Sequence, residues 1–140
     1  MKKNGFTLLE LLVVIGIIGI LVALASVSYT VTQQAGRDSK RKQDMVAMQN
    51  ALEQYYSAMG YVYPQSCGDA FSLPYLASGL PVDPLHTGNY QYSTLCTTTQ
   101  YCLCAKMERP NSGNSTNMNS NPCVFSGALN STSYCVGNLQ

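Results

Sequence analysis

One carboxylate, Glu10, stands at the edge of a run that carries no charged side chain from Leu11 to Gly36. A charge at the centre of a membrane helix costs about 2.5–3.5 kcal/mol, so a glutamate here is either tolerated at an edge or put to use. The other residues with reactive chemistry are the six cysteines Cys67, Cys96, Cys102, Cys104, Cys123 and Cys135, the single histidine His86, and the turn-region carboxylates Asp69 and Asp83. An even cysteine count, in a region rich in Ser, Thr, Asn and Tyr and poor in charge, points to disulfides in an oxidising compartment. Structural zinc competes, but the only close pair is Cys102-x-Cys104, with no Cys-x-x-Cys and one histidine, so no metal site is expected. Asp69 and Asp83 lie among prolines and glycines, where aspartate forms turns, and His86 reads as a solvated loop residue. With no glycine-rich phosphate loop after a strand, nothing points to an enzyme, and no cofactor is expected.

The elements that must hold these residues follow from the pattern. At 140 residues there is room for about one domain. Met1–Gly5 is a short leader made basic by Lys2 and Lys3, residues 6–31 are apolar and long enough to cross a bilayer, residues 32–59 are amphipathic, and residues 60–140 are turn-rich and strand-like. Met45, Met48, Leu52, Tyr55 and Met59 recur at steps of three and four, one face of a helix. No proline precedes Pro64, so Phe6–Met59 can form one helix of about 80 Å, stopped at Gly60. A dense set of Pro and Gly turns follows, then candidate strands at 89–95, 100–108 and 133–137. This is an α+β arrangement: a long N-terminal helix whose second half packs on a small antiparallel sheet.

Several finer expectations attach to this outline. Cys102 and Cys104, two apart on a strand, face one side and so reach different partners; sequence leaves the choice among fifteen pairings open. Residues 110–122, PNSGNSTNMNSNP, read as an exposed polar loop of variable conformation. RDSKRK at 37–42 reads as a solvated basic turn of helix outside the membrane, free to meet lipid headgroups or acidic groups on neighbouring subunits. Tyr55, Tyr56, Tyr61, Tyr63, Tyr75, Tyr90, Tyr92 and Tyr101 fit burial between helix and sheet. Asn114-Ser115-Thr116 and Asn130-Ser131-Thr132 match the glycosylation sequon. From Met45 onward, Lys106 and Arg109 stand against Glu53, Asp69, Asp83 and Glu108, a formal −2, which leaves no basic face for nucleic acid.

Three readings of the N-terminus compete. Lys2, Lys3, the apolar core and Ala23-Leu24-Ala25 have the form of a secretory signal cut after Ala25, which would release a secreted disulfide-rich binding domain. A plain single-span anchor would tolerate Glu10 at the cytoplasmic edge. Neither gives the carboxylate a task.

The third reading comes from resemblance. Lys2-Lys3-Asn4-Gly5 followed by Phe6-Thr7-Leu8-Leu9-Glu10 resembles the prepilin signature of type IV pilins and type II secretion pseudopilins. The resemblance implies a prepilin peptidase cut at Gly5/Phe6, methylation of the new Phe6 amine, and a Glu10 that attracts the N-terminal amine of a neighbouring subunit. Two opposite charges in an apolar bundle are costly alone and attract strongly when paired, and the small residues Gly16, Gly19, Ala23 and Ser26 offer a stripe for close helix packing. GLPVDPLHTGNYQYS (79–93) and YCLCAKME (101–108) are similar to later stretches of small pilins and the major pseudopilin. The implied partners are other copies in a helical filament, the peptidase, an assembly platform and membrane lipid; the implied place is the inner or cytoplasmic membrane, N-terminus inward, then an extracellular pilus or periplasmic pseudopilus. A pseudopilin or minor pilin is the rival within the family. Two departures stand out: many pilins carry a proline in the membrane helix and this chain does not, and residues 109–140 contain no Asp or Glu, so the calcium site of major pseudopilins is not expected.

Overall fold

The computed structural model describes residues 5–120, 122–127 and 129–139, without the side chains of 26–28. Most of the expected leader, Met1–Asn4, and the side chain of Ser26 lie outside the described residues. The chain divides into two units, Met1–Gln34 and Ala35–Gln140. One helix, α1 (Leu8–Ala58), supplies most of the first unit and opens the second. Its end is chemically marked: Gly60 takes the left-handed conformation at φ 72°, and the Tyr61 N–H donates to the Tyr56 carbonyl at 2.9 Å, a glycine-terminated helix end. Met59, expected on the buried face, therefore falls beyond the helix and is exposed.

In the second unit, β1 (Ser93–Cys96), β2 (Tyr101–Lys106) and β3 (Ser133–Gly137) form an antiparallel sheet in the order β1-β2-β3. The fold is α+β, as the pattern of segments predicts. β1 starts later than the tyrosine alternation suggests, because Gly88 is left-handed and the Tyr90 N–H closes a turn onto the Thr87 carbonyl. Central strand β2 is buried on both faces. Tyr101, Leu103 and Ala105 meet Met45, Met48 and Leu52 of α1 with Val136 of β3, while Cys102 and Cys104 turn the other way, as strand alternation requires.

That second face is partly covered by the loop after β2, through Met118 and Cys123, so the expectation of an exposed, variable loop holds only for part of it, including Thr116, Asn117 and Asn119. Ser115 is fully buried and pairs with Ser133 through two backbone hydrogen bonds of 3.0 Å. The Asn114 side chain accepts from the Cys135 N–H at 2.7 Å and donates to the Cys135 carbonyl at 2.9 Å. Gly113 lies against the Ser133 backbone so closely that any Cβ would overlap the carbonyl. Polar residues here replace a strand ladder, and composition does not distinguish that role from solvation. The Asn114 sequon is accordingly engaged with the sheet, while Asn130 is exposed.

Three disulfides fix the arrangement. Cys67–Cys96 ties the turn-rich connection to β1, Cys102–Cys123 ties β2 to the covering loop, and Cys104–Cys135 joins directly paired positions of β2 and β3. The sulfurs of Cys102, Cys104 and Cys123 lie within 4.8 Å of one another, and each is committed to a disulfide.

Candidate assembly site and a buried charge cluster

The first unit carries the N-terminal motif. Thr7 precedes the first turn of α1 and caps it: its hydroxyl oxygen accepts from the Glu10 N–H at 3.2 Å, and Glu10 Oε2 accepts from the Thr7 N–H at 3.1 Å and the Thr7 hydroxyl at 3.0 Å. This reciprocal Thr-x-x-Glu pattern satisfies donors that a helix start leaves open. The sequence contains the signal, but reading Glu10 only as a charge in an apolar run passes over it. Both contacts to the carboxylate use Oε2; Oε1 accepts no hydrogen bond among the described residues.

The helix below the cap is apolar around its whole circumference. Its large side chains from Leu11 to Leu24 are all exposed, and the helix is long and apolar enough to cross a membrane. Side chains of this kind are stable only when covered by lipid or by other helices. Nothing lies within 4 Å of where a Cβ would stand on Gly16 or Gly19, so both positions leave room for close approach. Gly5 and Phe6 are likewise exposed, Phe6 by 82%.

The second unit holds a charge cluster where a solvated basic turn was expected. Arg41 and Asp38 are fully buried. The Arg41 guanidinium forks onto Asp83 at 2.7 and 3.0 Å and also donates to Asp38 at 2.9 Å and Glu108 at 2.7 Å. Arg37 forks onto Glu108 at 2.7 and 2.6 Å, and Arg109 reaches Asp38 at 3.4 Å. Three guanidinium groups thus balance three carboxylates drawn from α1, the connection and the segment just after β2. The Tyr90 ring lies 4.8 Å from the Arg41 guanidinium carbon, placing an aromatic face beside the buried cation.

Burial alone would disfavour these charges; the pairing reverses it. Burial pushes the Asp38 carboxyl up, but the Glu108 and Arg109 N–H groups and Arg41 together hold it below the ordinary aspartate value. At Asp83 burial is outweighed in the same way by the Arg41 fork and the Leu85 N–H. Glu108 is held low chiefly by Arg37, against burial. Burial acts to lower Arg41, and its carboxylate partners raise it above the ordinary arginine value. Asp83 therefore forms a turn, accepting from the Leu85 N–H at 2.9 Å, and anchors that turn to the helix.

A second, half-buried acceptor lies further along α1. Glu53 receives the Tyr101 hydroxyl at 2.6 Å, the Tyr63 hydroxyl at 3.1 Å and the Leu139 N–H at 3.1 Å. Burial, reinforced by the neighbouring carboxylate, raises both phenols above their ordinary values. Tyr63 and Tyr101 are buried and Tyr55, Tyr56, Tyr75, Tyr90 and Tyr92 half-buried, whereas Tyr61 is 74% exposed on a left-handed backbone. The expectation of burial thus fails at Tyr61, which the helix stop turns outward.

The structure defines an α+β protein with an exposed apolar N-terminal helix of membrane-crossing length and a disulfide-tied second unit. The prokaryotic N-terminal methylation motif family matches residues 1–26. Type II secretion system core protein G of Escherichia coli (strain K12) is 36% identical over 98 residues, covering 59% of this chain and 67% of that protein. The core protein G of Aeromonas hydrophila is 41% identical over 54 residues, 39% of this chain and 38% of its own. Type IV major pilin protein PilA of Myxococcus xanthus (strain DK1622) is 36% identical over 56 residues, 40% of this chain and 26% of its own. The chain belongs to the type IV pilin and type II secretion pseudopilin family. No solved structure matches it.

Proposed function

We propose that this chain is a structural subunit of a type IV pilus-like filament, cut between Gly5 and Phe6 by a prepilin peptidase and assembled through α1. The observation that carries the reading is the N-terminal motif itself: an exposed apolar stretch of α1, Leu11–Leu24, preceded by one carboxylate whose Oε1 takes no hydrogen bond within the described residues. In the filament Oε1 receives the Phe6 amine of the neighbouring subunit. Desolvation in the helix bundle makes that pair attractive where either charge alone would be costly. Gly16, Gly19 and Ala23 let the helices approach closely enough for the pair to form. Before assembly the helix resides in the inner or cytoplasmic membrane with Phe6 on the cytoplasmic side, and an assembly platform withdraws it from lipid.

Mass spectrometry of the mature protein tests the processing step. Loss of Met1–Gly5 with one added methyl is expected; a chain beginning at Ser26 would instead mean a secreted domain released by signal peptidase. A second reading, a subunit of a periplasmic type II secretion pseudopilus, is favoured by the longer stretch shared with the E. coli core protein G than with the M. xanthus pilin. Recovery of the protein as the bulk component of sheared surface fibres separates the pilus from the pseudopilus.

A further inference from the structure

At one end of the sheet, the segment leading into β1, the end of β2, the start of β3 and the covering loop border an open concavity of about 440 Å³, within the roughly 300–1,000 Å³ range of small-molecule sites. Its lining contains one cation, Lys106, and no carboxylate. Among the described residues Lys106 forms no ion pair; its ammonium lies 5.6 Å from the Tyr90 ring centroid. The side-chain amides of Asn89 and Gln91 and the hydroxyls of Thr116 and Thr132, all in the same lining, make no hydrogen bond to the protein among the described residues. These four side chains are exposed, whereas the buried or half-buried Asn114, Ser115 and Ser112 of the covering loop are bonded to the backbone. Met118 adds an apolar wall.

We propose that this concavity binds a carboxylated sugar, a hexuronate residue of an acidic polysaccharide. Lys106 pairs with the carboxylate, the amides and hydroxyls bond to ring hydroxyls, and Met118 meets the C–H face of the ring. The charge count selects this class: one lysine balances one carboxylate, whereas a phosphate carries about −1.5 to −2 at neutral pH and would leave a net negative charge beside the single cation of the lining. An acidic protein side chain would use Lys106 and leave the amides and hydroxyls unmatched. The whole lining lies in the second unit, so the proposal stands apart from the filament reading.

The test is calorimetric titration of the full-length protein in detergent micelles with tetragalacturonate and with its neutral methyl ester. Saturable binding of the acid is expected, weakened about tenfold on esterification and about tenfold in Lys106→Gln, the worth of one charge-assisted hydrogen bond. Gln91→Ala, at an exposed position, should weaken binding about threefold, as for a neutral hydrogen bond. Far-ultraviolet circular dichroism and disulfide mapping establish that each variant is folded. Absence of saturable binding, equal affinity for acid and ester, or unchanged affinity in folded Lys106→Gln overturns the proposal. If Lys106→Gln does not fold, unchanged affinity in Gln91→Ala overturns it.

Discussion

Arg41 and Asp83, forty-two positions apart, form a two-pronged pair at 2.7 and 3.0 Å with both side chains buried. The pair fastens the turn-rich connection, which has few backbone ladders of its own, to the helix. Removing one partner of a buried pair strands the other, at a cost of about 3–5 kcal/mol. Arg41→Leu should therefore unfold the second unit at markedly lower urea concentration, followed by the near-ultraviolet tyrosine signal. Replacing both partners, Arg41→Met with Asp83→Leu, should recover part of the loss, because the stranded charge is gone while Arg37 and Arg109 still hold Glu108 and Asp38. An equally unstable double variant would mean that packing, not pairing, governs the site.

The same cluster predicts an acid limit. Asp38, Asp83 and Glu108 are held below their ordinary values in the fold, so they contribute stability that is fully present above the unfolded-state carboxylate values, about 4. That stability is lost as pH falls through the lower folded-state values. Urea midpoints should be nearly level between about pH 7 and 5 and fall below about pH 4. In Arg41→Leu the acid loss should shrink, since the principal cause lowering Asp83 has been removed.

Gly113 and the Cys102–Cys123 disulfide both hold the covering loop. A Cβ at Gly113 would meet the Ser133 carbonyl, so Gly113→Ala should destabilise by about 1–3 kcal/mol, as overpacking does. Replacing Cys102 and Cys123 by alanine opens a loop with a sequence separation of 21, with a loss of about 3 kcal/mol on the chain-entropy estimate. Hydrogen exchange should then rise at Ser115 and Asn117 before it rises in β2. Uniform loss across the sheet would show that the disulfide supports β2 itself rather than its cover.

Most of the fold was legible because its causes are local. The apolar run, the Met45–Met48–Leu52 spacing, the Gly60 stop and the same-side placement of Cys102 and Cys104 are all one-dimensional signals. The charge cluster is not legible in composition, because charge ordinarily marks solvent. A signal did exist: stepping back from Met45 by four and then three residues reaches Arg41 and Asp38, so the buried stripe continues into charged positions. Which carboxylates would meet them was not legible, since Asp83 and Glu108 arrive from distant segments. The covering loop is hard to read for a related reason: Ser and Asn side chains that replace a ladder have the composition of those that face water.

Glu10 has two tasks that one substitution can separate. As a cap it needs an acceptor for the Thr7 N–H, which glutamine still provides; as an assembly charge it needs the negative carboxylate, which glutamine lacks. Thr7→Val removes the hydroxyl that accepts from the Glu10 N–H, so it should cost about 1 kcal/mol at the helix start and speed hydrogen exchange at Leu9 and Glu10 in micelles. Filaments should still form, since the charge remains. Glu10→Gln should leave exchange near the native rate yet sharply reduce filaments, while the subunit accumulates in the membrane. Glu10→Ala should show both defects. If Glu10→Gln assembles normally and Thr7→Val does not, the residue serves the helix start and the proposed amine pairing is wrong.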